Sequence, residues 1–316
     1  MRILVALLAW IALAPVAFAQ ERTEPRHFIF AGGSSVEEIA DLLADPAVEG
    51  VQVIYNWRQL EPEEGHYDFS QIERDLSEAA RLNKQLWIQL QDRFFLPEAR
   101  RLPDYILSEP QYDGGLARQI DNPGEGQPVE QGWVAKQWNP ALRVRFQALI
   151  AALAERFDGR ILGINLPETA IDTGEEDAGF CDTYFHAELE NIVFARQAFG
   201  TSHVVQYINF WPCEWNNDQG HMERFFDAAL EHGFGLGGPD IVPYRRGQMR
   251  NSYPFFNRLQ DDLPITAMAV QGATLTYTNP ETGEPFTRAE FLEFAVDYLG
   301  VDIIFWTQAA GWISAD

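Results

Sequence analysis

The chain has 316 residues, 47 acidic and 23 basic, for a formal net charge of −24. Such a surface repels phosphate backbones and anionic lipid, so it argues against nucleic acid as a partner and makes a neutral one easier to accept. With 46% hydrophobic and 22% charged residues the composition is globular, and the length suits one large α/β barrel or two smaller domains.

Residues 1–19 read as Met-Arg, then an apolar run from Ile3 through Phe18, closing on Ala17-Phe18-Ala19. That is the pattern of a signal peptide. The run is short for a membrane span and contains Pro15, so cleavage is expected, giving a periplasmic or secreted protein without a stable membrane anchor.

The first predicted strand is His27–Ala31. It leads into Ala31-Gly-Gly-Ser-Ser35, too short and wrongly spaced for a phosphate-binding glycine loop, which argues against a doubly wound open sheet. Ser35 and Glu38 have capping-box spacing, as do Ser70 with Glu73 and Thr287 with Glu290, and each marks a helix start. Further strands are predicted at Gly50–Tyr55 and Gln85–Gln91, then Ile161–Asn165, His203–Asn209, Gly235–Ile241, Ile265–Gln271 and Val301–Trp306. Long helices with apolar residues at three- and four-residue spacing are predicted over Pro140–Phe157 and Thr183–Phe199. Eight alternations of strand and helix, with no linker, imply a single (β/α)₈ TIM-type barrel over 20–316. Between the third and fourth strands, residues 94–138 carry repeated proline and glycine. They read as a long loop insertion over the C-terminal face of the barrel.

The fourth strand delivers Glu168 to that face, where barrel enzymes place catalytic groups. The seventh ends instead in an amide, Gln271. Cys181 and Cys213 follow the fourth and fifth strands by similar intervals, which would place both on loops at one end of the molecule. In an exported protein such a pair is expected to be bridged. The six histidines have no metal-ligand spacing and no G-x-S-x-G elbow occurs, so neither metal nor cofactor is expected.

The run Trp57-Arg-Gln-Leu-Glu-Pro-Glu-Glu-Gly-His-Tyr-Asp-Phe69 follows the second strand. With an acid after the fourth strand and Trp306 ending the eighth, it resembles the clan A glycoside hydrolases over nearly all the chain beyond residue 19. The resemblance implies an oligo- or polysaccharide cleft on the C-terminal face, with Glu168 protonating the leaving glycosidic oxygen and a seventh-strand carboxylate attacking the sugar. Gln271 stands in that second position, and an amide cannot form the glycosyl ester of a retaining mechanism. The clan's asparagine before the acid is Pro167 here, so either Asn165 reaches the sugar or that contact is absent.

Candidates for a second carboxylate are Asp92, Asp240 and Glu214. Asp240 is favoured because it sits near the end of its strand and flanks the seventh. Asp92 also reads as half of a structural ion pair with Arg93, while Arg58, Glu61 and Asp68 read as anchors of the loop after the second strand. For substrate contacts, sugar C–H faces pack on aromatic planes and sugar hydroxyls need amides or carboxylates. The aromatic set at strand ends is Tyr55, Trp57, Tyr207, Trp211, Trp215, Tyr244 and Trp306. The polar set is Gln89, Gln91, Asp92, Asn165, Asn209, Gln271 and Gln308. Trp57, Trp211 and Trp306 are expected to line one cleft with Glu168. The alternative to hydrolysis is a carbohydrate-binding protein that has lost its nucleophile at Gln271.

Overall fold

A computed structural model describes residues 24–121, 129–174 and 178–311, so residues 1–19, expected to be a signal peptide, lie outside the described residues. Its strands are β1 (Arg26–Phe30), β2 (Gly50–Asn56), β3 (Gln85–Gln91), β4 (Arg93–Phe94), β5 (Leu116–Asp121), β6 (Val129–Ala135), β7 (Gly163–Leu166), β8 (His203–Tyr207), β9 (Gly235–Gly238), β10 (Thr266–Val270) and β11 (Ile303–Thr307). Eight of them close into an all-parallel barrel in the order β1-β2-β3-β7-β8-β9-β10-β11, with β11 pairing back onto β1. The fold is therefore the (β/α)₈ barrel, and each of its eight strands overlaps a strand read from the sequence.

The barrel strands are apolar on both faces because both faces are covered. Phe28, Trp87, Val205, Tyr207, Ala267, Ala269, Ile303 and Phe305 pack together inside the barrel. Their neighbours Ile29, Leu86, Ile88, Val204, Leu236, Met268 and Ile304 belong to the larger core beneath the helices. Gly163 is required inside, since a Cβ there would sit 2.5 Å from Cζ3 of Trp87. Above this floor lies a polar layer. Gln52 Nε2 donates to Asn165 Oδ1 (2.9 Å) and to the Tyr207 hydroxyl (2.7 Å), and Trp87 Nε1 also donates to Asn165 Oδ1 (3.0 Å).

The helices are α1 (Ala40–Leu43), α2 (Trp57–Leu60), α3 (Ser70–Arg81), α4 (Asp104–Ser108), α5 (Pro140–Phe157), α6 (Ala178–Ala198), α7 (His221–His232), α8 (Arg246–Arg250), α9 (Tyr253–Leu259) and α10 (Arg288–Glu293). None among the described residues is long and apolar enough to cross a membrane. Two of the three capping boxes form. Thr287 and Glu290 exchange both bonds (3.3 and 2.6 Å), and Ser35 and Glu38 do so at 3.4 and 2.8 Å. The third does not. Glu73 is drawn away by Arg156 (2.6 Å) and Arg160 (2.7 Å), and Asp68 accepts from the Ser70 amide instead (2.9 Å). Asn139 caps α5, accepting from the amides of Ala141 (2.9 Å) and Leu142 (3.1 Å), with Pro140 preset at the first helical position.

The described residues of the 94–138 insertion are folded rather than an extended loop. They contain α4, and β4, β5 and β6 form a three-stranded antiparallel sheet. The Ile120 amide donates to Asp172 O at 2.7 Å, which ties this sheet to the chain just after Glu168. Cys181 and Cys213 form a disulfide with Cα atoms 6.2 Å apart, inside the usual range. Cys181 lies in the first turn of α6, not on a loop, so the bridge joins that helix to the segment following β8.

Candidate active site

Glu168 stands two residues beyond β7 at the C-terminal mouth of the barrel, with one side open and the rest packed among protein atoms. Burial pushes its carboxyl up to about 7. The Arg93 charge opposes that rise, the Asp240 charge adds to it, and a hydrogen bond from Asn209 opposes it. Asn209 Nδ2 donates to Glu168 Oε2 at 2.6 Å. The amide cannot turn over, because Asn209 Oδ1 already accepts from the backbone N–H groups of Ala170 (3.1 Å) and Phe210 (3.0 Å).

Asp240 lies two residues past β9 and is close enough for its charge to act on Glu168. Burial raises its pKa, while a hydrogen bond from Thr274 and the charge of Arg245 pull it down. Thr274 Oγ1 donates to Asp240 Oδ1 at 2.6 Å and accepts from the Gln271 amide at 3.1 Å, so one hydroxyl joins the ends of the sixth and seventh barrel strands. Tyr253 fixes the backbone, donating to Asp240 O and accepting from the Val242 amide, both at 2.9 Å. Two carboxyl groups with raised pKa values thus flank the mouth, with Gln271 following β10 beside them.

Arg93 is buried, donating to the Tyr184 hydroxyl (2.5 Å) and to Glu188 Oε1 (3.0 Å). Burial works against its charge, yet Tyr184, Asp92, Glu188 and Glu168 together hold it firmly protonated. Asp92 is not its hydrogen-bonding partner. Asp92 Oδ2 accepts from Gln137 Nε2 at 2.7 Å, and the side chain is 1% exposed, so it cannot reach a ligand at the surface. Burial raises its pKa. Glu214 also leaves the candidate list. Its carboxylate accepts the amides of His221 (2.6 Å) and Met222 (2.9 Å) and caps α7.

Several residues assigned to the cleft from the sequence lie elsewhere. Trp306 is 1% exposed and donates to His27 Nδ1 (3.0 Å), while Arg288 of α10 lies over its ring. It packs in the core beneath the helices because Ile303 and Phe305 take the inward positions of β11. Trp57 is fully buried against Phe146 of α5 and donates to Glu61 at 2.8 Å. Trp211 packs among Tyr184, Phe185 and Phe225 under α6 and α7. Tyr55 faces outward and donates to Asp75 of α3 at 2.7 Å. Asn165 and Tyr207 point inward but are sealed in the polar layer below the mouth. Gln308 donates to Ala31 O at 2.9 Å, on the far side of β11.

Glu168, Asn209, Asp240 and Gln271 remain together at the mouth. Gln91 is partly open at the end of β3, with Gln89 buried two residues below it. Glu61, with Trp57, Gly65 and Arg145 as partners, and Arg58, paired with Asp104, anchor the chain after β2 as read from the sequence. The sequence reading missed Thr274, Arg245 and the pull of Arg93 on Glu168. An arginine directly beyond a barrel strand was the available sign of the last.

No family model matches the sequence, and no curated protein is similar to it. Solved structures do share its fold. The catalytic domain of beta-amylase from Paenibacillus polymyxa matches with a TM-score of 0.57 at 9% identity, covering 90% of this chain and 92% of that one. The catalytic core of xylanase A matches with a TM-score of 0.52 at 12% identity over 90% and 87%. Xylanase XynB from Paenibacillus barcinonensis matches with a TM-score of 0.51 at 11% identity over 90% and 84%. The barrel is thus one that glycoside hydrolases use, and its match to them extends over most of both chains.

Proposed function

We propose that the chain is an exported glycoside hydrolase acting on an oligo- or polysaccharide at the C-terminal mouth of the barrel. Glu168 is its general acid and Asp240 its general base. The observation that carries this reading is the Glu168 carboxyl, raised to about 7 at the site where a proton donor is required, with the charge of Asp240 among the causes. The shared barrel of the amylase and xylanases supports it, and the segment 1–19 together with the Cys181–Cys213 bridge fits export.

In this mechanism Glu168 gives its proton to the glycosidic oxygen as the bond from that oxygen to the anomeric carbon breaks. Asp240 takes a proton from water, whose oxygen forms the new bond on the opposite face of the ring. Glu168 is left ionised and Asp240 protonated, and exchange with solvent resets both. Arg93 and Asn209 stabilise the carboxylate left on Glu168. Gln271 cannot form an ester, which favours direct displacement by water.

The test is release of new reducing ends from a panel of oligosaccharides by the wild type, Glu168→Gln and Asp240→Asn. Activity in the wild type, lowered by about 10²-fold or more in each variant, supports the assignment. Hydrolysis that survives both substitutions overturns it.

A further inference from the structure

In a chain with twice as many acidic as basic side chains, one open depression of ≈ 650 Å³ is lined by three arginines and no acid. Its lining is Phe210, Trp215, Arg245, Arg246, Gly247, Gln248 and Arg250. All three arginines are exposed, and none forms a salt bridge among the described residues. Elsewhere several arginines are paired with carboxylates, as with Arg93 and Glu188 or Arg143 and Glu190.

The depression borders the catalytic mouth. Phe210 follows Asn209, the partner of Glu168, and Gln248 also lines the narrow gap that includes Asn209 and Asp240. Arg245 lies over the ring of Tyr277 at 4.1 Å, and its charge reaches Asp240. The two segments that form the walls are tied together. Asn251, 1% exposed, accepts from the Asn216 amide (3.0 Å) and donates to Gly247 O (2.8 Å). Gly247 allows the close approach, for a Cβ there would stand 3.1 Å from the Phe210 ring. Against this cationic wall Trp215 lies parallel to Phe210, centroids 6.4 Å apart at 4°, and remains 45% exposed.

We infer that this depression is a subsite for an anionic sugar residue. Trp215 stacks on the ring, while the guanidinium groups of Arg246 and Arg250, with Arg245 beside Asp240, receive a carboxylate or sulfate ester. The inference rests on the glycosidase reading and specifies its substrate class as glycans bearing negative charge. An aromatic plane supplies the apolar face a pyranose needs, and guanidinium forks match planar oxyanions. The overall charge of −24 does not oppose this. At physiological ionic strength fields decay over about 8 Å, so the arginines at contact outweigh carboxylates spread over the rest of the surface.

The test is calorimetric titration of the wild type and Arg246→Ala/Arg250→Ala, at low and moderate salt. The ligands are an oligogalacturonate, a sulfated galactan oligosaccharide and a neutral xylo-oligosaccharide of equal length. At least one charged ligand should bind the wild type about tenfold more tightly than the neutral one, a preference that shrinks with salt and falls below about twofold in the double variant. The lysine pair Arg246→Lys/Arg250→Lys should restore part of it. Which charged ligand is preferred identifies carboxylate or sulfate. Equal affinity for charged and neutral ligands, or a preference that survives the double variant, overturns the subsite while leaving the glycosidase reading intact. If no glycan of any kind is bound or cleaved, both fall.

Discussion

Replacing Glu168 with glutamine should separate its catalytic role from its energetic one. The ordinary pKa of the group is 4.5, and in the fold it is about 7. The native chain therefore binds this proton more tightly than the unfolded chain. The resulting stability is fully present below pH 4.5, declines as pH rises toward 7, and is gone above it. At about 1.4 kcal/mol per pH unit, the loss over that window is about 3 kcal/mol. The open side of the carboxyl, which lets water relieve part of the penalty, trims this to about 2. Glu168→Gln preserves the shape and can still accept the Asn209 hydrogen bond, but it has no proton to lose. Urea unfolding of both proteins at pH 5 and pH 8 should show the variant gaining about 2 kcal/mol on the wild type across that interval, while its hydrolytic rate is about 10²–10⁴-fold lower. If the two stabilities instead run parallel with pH, Glu168 has no raised pKa and the argument for it as general acid collapses.

The amide of Asn209 favours the ionised form of Glu168, so Asn209→Ala should move the alkaline limb of the kcat/KM profile upward by about half a pH unit or more, and a limb that stays put or falls counts against the contact. Arg93→Met should raise Glu168 further and leave Glu188 buried without its cation, at about 3–5 kcal/mol in chemical unfolding; a loss under about 1 kcal/mol would show that the pair does not stabilise the fold. Replacing both Cys181 and Cys213 with serine opens a crosslink between residues 32 apart in sequence, and should lower unfolding stability by about 3 kcal/mol; an unchanged melting temperature would argue that the bridge does not constrain the chain. Gly163→Ala sets a methyl 2.5 Å from the Trp87 ring and should cost about 1–3 kcal/mol, whereas a neutral effect would mean that the barrel floor is loosely packed.

The barrel was legible because each strand is a compact apolar run followed by a helical period, and Gln85–Gln91 and Pro140–Phe157 coincide with the folded elements residue for residue. Which way each strand-end side chain points was not. Strands covered on both faces give no alternation to reveal their phase, and a one-residue error exchanges cleft for core. Gln52 faces inward on β2, so Tyr55 faces out. Phe305 faces inward on β11, so Trp306 turns under the helices. Glu168, Asn209 and Asp240 escaped that ambiguity because they lie beyond the last paired residues of their strands, where the chain turns over the mouth. Ser70 shows a different limit. Its capping partner Glu73 was recruited by Arg156 and Arg160, which are more than eighty residues distant in sequence and carry no local signal.

In the proposed mechanism Glu168 and Asp240 cleave a glycosidic bond by a single displacement with water, without a covalent intermediate on the seventh barrel strand. The anomeric configuration of the first product, followed by proton NMR in the opening minutes of hydrolysis, tests this most directly. Single displacement requires inversion, with the signal absent in Asp240→Asn. Retention, with a glycosyl ester trapped on any residue of the chain, would contradict it.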